Sequence, residues 1–206
     1  MKSCLLAVIL MVSIPGIANA LYLNDQNITV TLGPTMAPNP FANRSTAASL
    51  ASIIDAPSAS ASEFHNQQTH AWVSGGKLEL VFDLGTEYDL TTLHFWNYHS
   101  EAFDVDNIDF TFYNASNNLV GSLFNIIPAL GGSSSSDSTP IFAENYSLSF
   151  PDKARYVNAL LSGSNGQVDF NNIGFTGSLT PIPVPAAVVL FLTGLGAIYG
   201  TSRMKK

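Results

Sequence analysis

The chain has 206 residues, with 8 Lys and Arg against 15 Asp and Glu, a net charge of −7, and a single cysteine. So acidic a chain has little with which to neutralise phosphates, which argues against nucleic acid as a partner. One cysteine excludes an intrachain disulfide, so the fold must rest on its core alone.

The first segment, Met1–Ala20, reads "MKSCLLAVILMVSIPGIANA". Lys2 is a positive n-region, Leu5 to Ile14 an apolar h-region, and Pro15-Gly16 a break. Ala18 and Ala20 supply the small residues of a signal-peptidase cleavage site. The segment is a signal peptide, and Cys4 lies before its apolar run, where a lipid-modified cysteine would not. From Leu21 to Thr180 (21–180) follows one domain's length of chain. That body holds all 15 acidic residues and only Arg44, Lys77, Lys153 and Arg155 as basic ones. The other basic residues flank the two ends, the distribution expected when the ends face the cytoplasm and the body is exported. An acidic exported body suits neutral polymers or divalent cations.

Within the body the periodicity is that of strands. "ITVTLG" reads as a strand, and "STAASLASIID" as a helical turn or capping loop. "KLELVFDLG" sets Leu78, Leu80, Phe82 and Leu84 on one face and Glu79, Val81 and Asp83 on the other, ending at Gly85. After a short link, Thr86 to Leu90, "TTLHFWNY" sets Leu93 and Phe95 opposite His94 and Trp96. "NIDFTFYN" points Ile108, Phe110 and Phe112 inward. Asn114 to Asn118 has turn chemistry, and "LVGSLFNII" resumes a strand. "GGSSSSDSTP" (131–140) is a polar loop, and "YSLSF", "ARYVNALLS" and "NNIGFTG" are three further strands. Short strands between Gly, Asn and Ser predict an all-β antiparallel sandwich or barrel.

The last segment, 181–206, opens on Pro181, Pro183 and Pro185. It continues with an uncharged run from Ala186 to Gly200 and ends on Arg203, Lys205 and Lys206. A helix over that run spans roughly 22 Å, short of a hydrocarbon core of about 30 Å. It is a marginal transmembrane helix.

"LELVFDLGTEYDLTTLHFWNY" resembles the central strand pair of discoidin-type (coagulation-factor type C) domains of the galactose-binding-like superfamily. "ARYVNALLSGSNG", "VDFNNIGFTG" and Trp72-Val73-Ser74 resemble three further motifs of that family in the same order, over Ser45 to Gly177. The resemblance implies an eight-stranded jelly-roll β-sandwich that binds ligands through loops at one end and does no chemistry. It also implies a calcium site, with Asp55 and Asn172 at the positions of two ligands. Here Ala56 follows Asp55 where a Gly is usual, and Asn172 replaces a Glu. No cofactor is otherwise required. The tail, with Pro183, Pro185, Ala186 and Ala187, resembles the Val-Pro-Leu-Pro-Ala-Ala variant of the PEP-CTERM sorting signal, without its usual Pro-Glu-Pro core. That implies recognition by an exosortase-like enzyme in a Gram-negative bacterium after transient inner-membrane anchoring.

No Gly-x-Ser-x-Gly or metal-ligand helix is present, and "EAFDVDNID" lacks the order of a calcium loop, so the chain reads as no enzyme. Sugars bind where aromatic faces meet polar groups. His65, His70 and Trp72 before the central strand, with Tyr98, His99 and Glu101 after the next one, form such a candidate site. The resulting expectation is a cell-surface or matrix protein that binds extracellular polysaccharide or surface glycan and meets the membrane only through its tail. The alternative is a structural or assembly protein of an extracellular matrix or biofilm, with protein partners and no sugar pocket.

Overall fold

The computed structural model describes residues 19–41, 49–64, 70–132 and 139–179. Ala18, Arg44, His65 and the whole sorting tail, with Pro183, Pro185, Ala186 and Ala187, lie outside them, while Ala20 is exposed. The strands are β1 (Leu21–Leu23), β2 (Thr29–Leu32), β3 (Glu63–Phe64), β4 (Ala71–Ser74) and β5 (Lys77–Asn97). They continue with β6 (Asn107–Tyr113), β7 (Leu119–Ile126), β8 (Pro140–Ile141), β9 (Glu144–Ser147), β10 (Ala154–Ser162) and β11 (Gln167–Ser178). One short helix, α1 (Ser49–Ser52), falls in the segment read as a helical turn.

All the pairings are antiparallel. The first sheet runs β2-β5-β10-β6-β7, and the second runs β11-β5-β9 with β1 and β4 both on the outer side of β11. β3 and β8 pair only with each other. The sandwich thus matches the predicted class, with more strands than the eight that the family resemblance implied.

β5 corrects the expectation of two strands. It is one 21-residue strand shared by both sheets. Its first part pairs with β2 and β10, and its second part, from Asp89, with β11 and β9. Between Asp83 and Tyr88 the pairing with β10 is interrupted, and there Gly85 has a φ of 75°, which suits a residue without Cβ, and donates its N–H to Asp83 Oδ1 at 2.8 Å. A bulge follows at Thr91, because Gly177 pairs with Leu90 and Thr176 with Thr92. It moves the inward positions from Tyr88 and Leu90 to Leu93 and Phe95, so one core stays continuous along both parts.

Between the sheets lie Leu78, Leu80, Phe82, Phe95, Phe110, Phe112, Phe170 and Phe175, all fully buried. Each such side chain contributes about 1.5–3 kcal/mol through removal from water.

The expected polar face of the second part of β5 is also buried. Trp96 packs with Ala56 and Ile141 in a second cluster, and its Nε1–H donates to Ala61 O at 3.0 Å. His94 donates from Nδ1 to Asn145 Oδ1 and accepts at Nε2 from the Thr176 hydroxyl. Burial lowers its pKa, against the opposing pull of the Asn145 bond, so the neutral ring is favoured. Loop segments around residues 56–61 and 141–143 cover this face, which the strand pattern alone could not anticipate.

Candidate functional site

Antiparallel pairing brings the start of β5, the end of β10 and the starts of β6 and β11 to one end of the sandwich. Ser162 stands opposite both Lys77 and Asn107, and Gln167 opposite Ser74. Residues 98–106 form a loop over this end. Asn97, at the last position of β5, holds it there. The Asn97 amide nitrogen donates to Asp104 Oδ2, Val105 O and Ala129 O at 3.1–3.2 Å. Its oxygen accepts from the backbone N–H groups of Tyr98 and Val105 at 2.9 and 3.0 Å. One buried side chain thus supplies the partners that an irregular backbone needs away from water. Gly131 passes beside it, donating its N–H to Tyr98 O, where a Cβ would overlap the Asn97 carbonyl.

Four of the predicted residues converge here. Trp72 on β4 is half-buried, its Nε1–H donating to Gln167 Oε1 at 2.7 Å. Phe103 meets it edge-on with ring centroids 5.6 Å apart, and Tyr98 lies 6.3 Å from Phe103 in the same edge-on manner. His99 is 4.2 Å and His70 6.2 Å from the Tyr98 ring. The edge-to-face geometry is the favoured one for aromatic pairs and gives the array a fixed shape.

Three expectations need correction. Tyr98 was read as an exposed aromatic but is only 8% exposed, so its ring backs the array and presents no open face. His70 was read as an exposed aromatic. It is instead buried, with Nδ1–H donating to Asp169 Oδ1 at 2.8 Å, so it supports the array from below. Glu101 lies in an exposed turn, where its backbone oxygen accepts from Asn165 Nδ2 at 2.7 Å. Phe103, Asn97, Asp104 and Asp169 are the residues that sequence reasoning missed at this end. Phe103 and Asp104 lie in "EAFDVDNID", which the sequence marks only as lacking the order of a calcium loop, and the one visible signal is the Phe among the acids.

Electrostatically the floor is unusual. Burial raises the Asp169 carboxyl to about 6, opposed by the hydrogen bond and charge of His70. Burial raises Asp104 to about 6 as well, followed by repulsion from Asp106 and Glu101. Asp104 Oδ1 is buried without a hydrogen-bond partner among the described residues. Chemically, the arrangement can present ring faces beside polar groups.

The second predicted pair also meets. Asn172 Nδ2 donates to Asp55 Oδ1 at 3.0 Å and to Ser52 O at 3.1 Å. Burial raises the Asp55 pKa, the Asn172 bond lowers it, and Asp25 raises it. A calcium ion needs six to eight oxygen ligands. Here the Asn172 Nδ2 group stands between Asp55 Oδ1 and Ser52 O, while Asn172 Oδ1 is buried without a hydrogen-bond partner among the described residues. Among the described residues, no group of three or more His, Cys, Asp or Glu could hold a metal. Nor does any helix among them have the length and apolarity to cross a membrane.

No family model matches the chain, and no curated protein matches it. Solved structures with a similar fold include a family 32 CBM from C. perfringens NanJ in complex with galactose. It is 11% identical, with a TM-score of 0.49 over 77% of this chain and 99% of that one. A fucose-binding module of Streptococcus pneumoniae, SpX-3, is 13% identical, with a TM-score of 0.47 over 74% of this chain and 96% of that one.

Proposed function

We propose that the chain is a non-enzymatic, exported surface or matrix protein whose sandwich binds carbohydrate, an extracellular polysaccharide or surface glycan, at its loop end. The observation that carries this reading is the set of accessible rings Trp72, Phe103 and His99, packed on the buried Tyr98 ring over a buried polar floor. Sugars present C–H faces that stack on rings and hydroxyls that reach the polar groups between them. The overall acidity turns away anionic ligands.

A glycan array with the full-length chain tests it. Saturable binding to a sugar, lost in Trp72→Ala and in Phe103→Ala with the melting temperature held, supports the reading. Absence of any sugar ligand together with self-association makes the sandwich an assembly module instead.

The sorting reading rests on the two termini. Signal peptidase would cut after Ala20, and an exosortase-like enzyme would read Pro183, Pro185, Ala186 and Ala187. Intact mass of the protein recovered from the cell surface and medium decides this. A chain from Leu21 to a point within 181–187 supports release at the surface, and one that keeps Lys206 overturns it.

The sandwich holds its closing strand without calcium, the Asn172 amide linking Asp55 to Ser52 in place of a cation. Melting should then be indifferent to millimolar calcium and to chelator, and a calcium-dependent rise in melting temperature would refute this role for Asn172.

A further inference from the structure

The outer face of the first sheet carries a depression of about 340 Å³, away from the loop-end array. Leu160 on β10 is its centre, standing level with Glu79 of β5 on one side and Asp109 of β6 on the other. Asn158 and Thr111 form the adjacent row, and Phe124 of β7 bounds the far side. Phe124 is 59% exposed and Leu160 38%.

The backbone beneath Phe124 is irregular. Phe110 pairs with Leu123 and Ile108 with Ile126, so Phe124 and Asn125 together face the single residue Asp109. Asn125 has φ of 58°, and its N–H donates to Asp109 Oδ1 at 2.8 Å. This bulge lets Leu123 and Ile126 both pack on the core while Phe124, between them, stays in solvent. A left-handed non-glycine residue and an exposed phenyl ring each cost stability. A straight register with a polar residue at 124 would avoid both.

We propose that this depression is a second carbohydrate subsite, taking a neutral sugar unit of a polysaccharide chain laid across the sheet. The Phe124 ring and the Leu160 side chain offer adjoining apolar surface to the C–H face of a pyranose. The carboxylates of Glu79 and Asp109 flank that surface. Each already has one oxygen occupied, Glu79 Oε2 by the backbone N–H and hydroxyl of Thr35 and Asp109 Oδ1 by Asn125, and each keeps another to accept a sugar hydroxyl. Asn158 and Thr111 add groups that both donate and accept. No basic side chain lines the depression, so uronate and sulfate polymers are repelled.

A peptide fits less well. The strands of the floor, β5, β10 and β6, are hydrogen-bonded to neighbours on both sides, so an added strand could pair there only at the outer edge of β7 and not across the depression. Peptide amides laid over Phe124 and Leu160 would lose their water without gaining partners. The volume is at the small end of ligand sites, which run from about 300 to 1,000 Å³.

The proposal shares its ligand class with the loop-end reading but none of its residues, so the two can fail separately. The test is affinity electrophoresis of the full-length chain through gels containing galactomannan, mixed-linkage β-glucan or dextran, with alginate and polylysine as contrasts. At least one neutral polymer should retard the wild type. Phe124→Ala and Asn158→Ala should each weaken that retardation by about fivefold or more, with melting temperatures unchanged. Trp72→Ala should leave a part that still depends on Phe124. Should Trp72→Ala have no effect while Phe124→Ala abolishes retardation, the sheet-face subsite stands and the loop-end site falls. Retardation untouched by both sheet-face variants overturns the proposal. So does retardation by none of the neutral polymers, or Phe124-dependent binding of polylysine or alginate alone.

Discussion

The two parts of β5 belong to one strand and have opposite surroundings. From Lys77 to Leu84 its residues alternate between buried and partly exposed, because the first sheet keeps one face in water. From Leu93 to Asn97 every residue is buried, because loop segments lie over the second sheet. The same backbone thus supports an open face that holds the Phe124 depression and a covered one that ends in the loop carrying the aromatic array. Alternation tells which side of a strand is apolar, and it cannot tell whether the polar side will later be covered.

The largest expected effect comes from removing the cover's anchor. Trp96→Ala should cost about 3–5 kcal/mol in urea unfolding, since it leaves a cavity and strips Ala61 O of its partner. On the open face, Val81→Ala should cost about 0.5 kcal/mol. Equal losses would mean that the two faces are alike after all.

A smaller effect tests the floor at the loop end. In the folded chain the Asp104 carboxyl stays protonated up to about pH 6, against an ordinary 3.8. The unfolded chain therefore releases its proton first as pH rises, so stability is full at low pH and declines between about pH 4 and 6. Asp104→Asn should flatten part of that decline, Asp169 retaining its own share, and should stabilise the chain at pH 7 by about 1 kcal/mol. That is less than the full shift implies, because solvent reaches part of the group. A steeper decline in the variant would refute the assignment.

Smallest of all should be Arg155→Ala. This residue holds Asp83 through two bonds at 3.0 and 3.1 Å on the half-exposed open face. The slight loss in melting temperature should vanish in high salt, and a salt-resistant loss would place this pair in a covered setting.

Much of the first sheet was legible. The inward residues of β6, the extent of β10 and the turn at Asn114 to Asn118 all follow from alternation and turn chemistry. The candidate site was legible only in outline. Trp72, Tyr98 and His99 do assemble, but Tyr98 and His70 are buried; the partner of His70, Asp169, lies 99 residues away, and no local pattern could announce the pair. Phe103 was passed over because one apolar residue among acids looks like any solvated loop until Trp72 is seen beside it.

By itself, then, the sequence determined the strand periodicity, the single cysteine-free core and the acidity of the body. The signal and sorting readings at the two ends are carried by sequence alone. Only the tertiary structure decided that Trp96 is covered, that Asn97 ties down the loop end, that Asn172 meets Asp55 through its nitrogen, and that a bulge sets Phe124 beside Leu160. The physical reason is range. Side-chain alternation and turn preference act over a few residues, whereas burial of an outer face and convergence of a site depend on segments that meet only when the chain has folded.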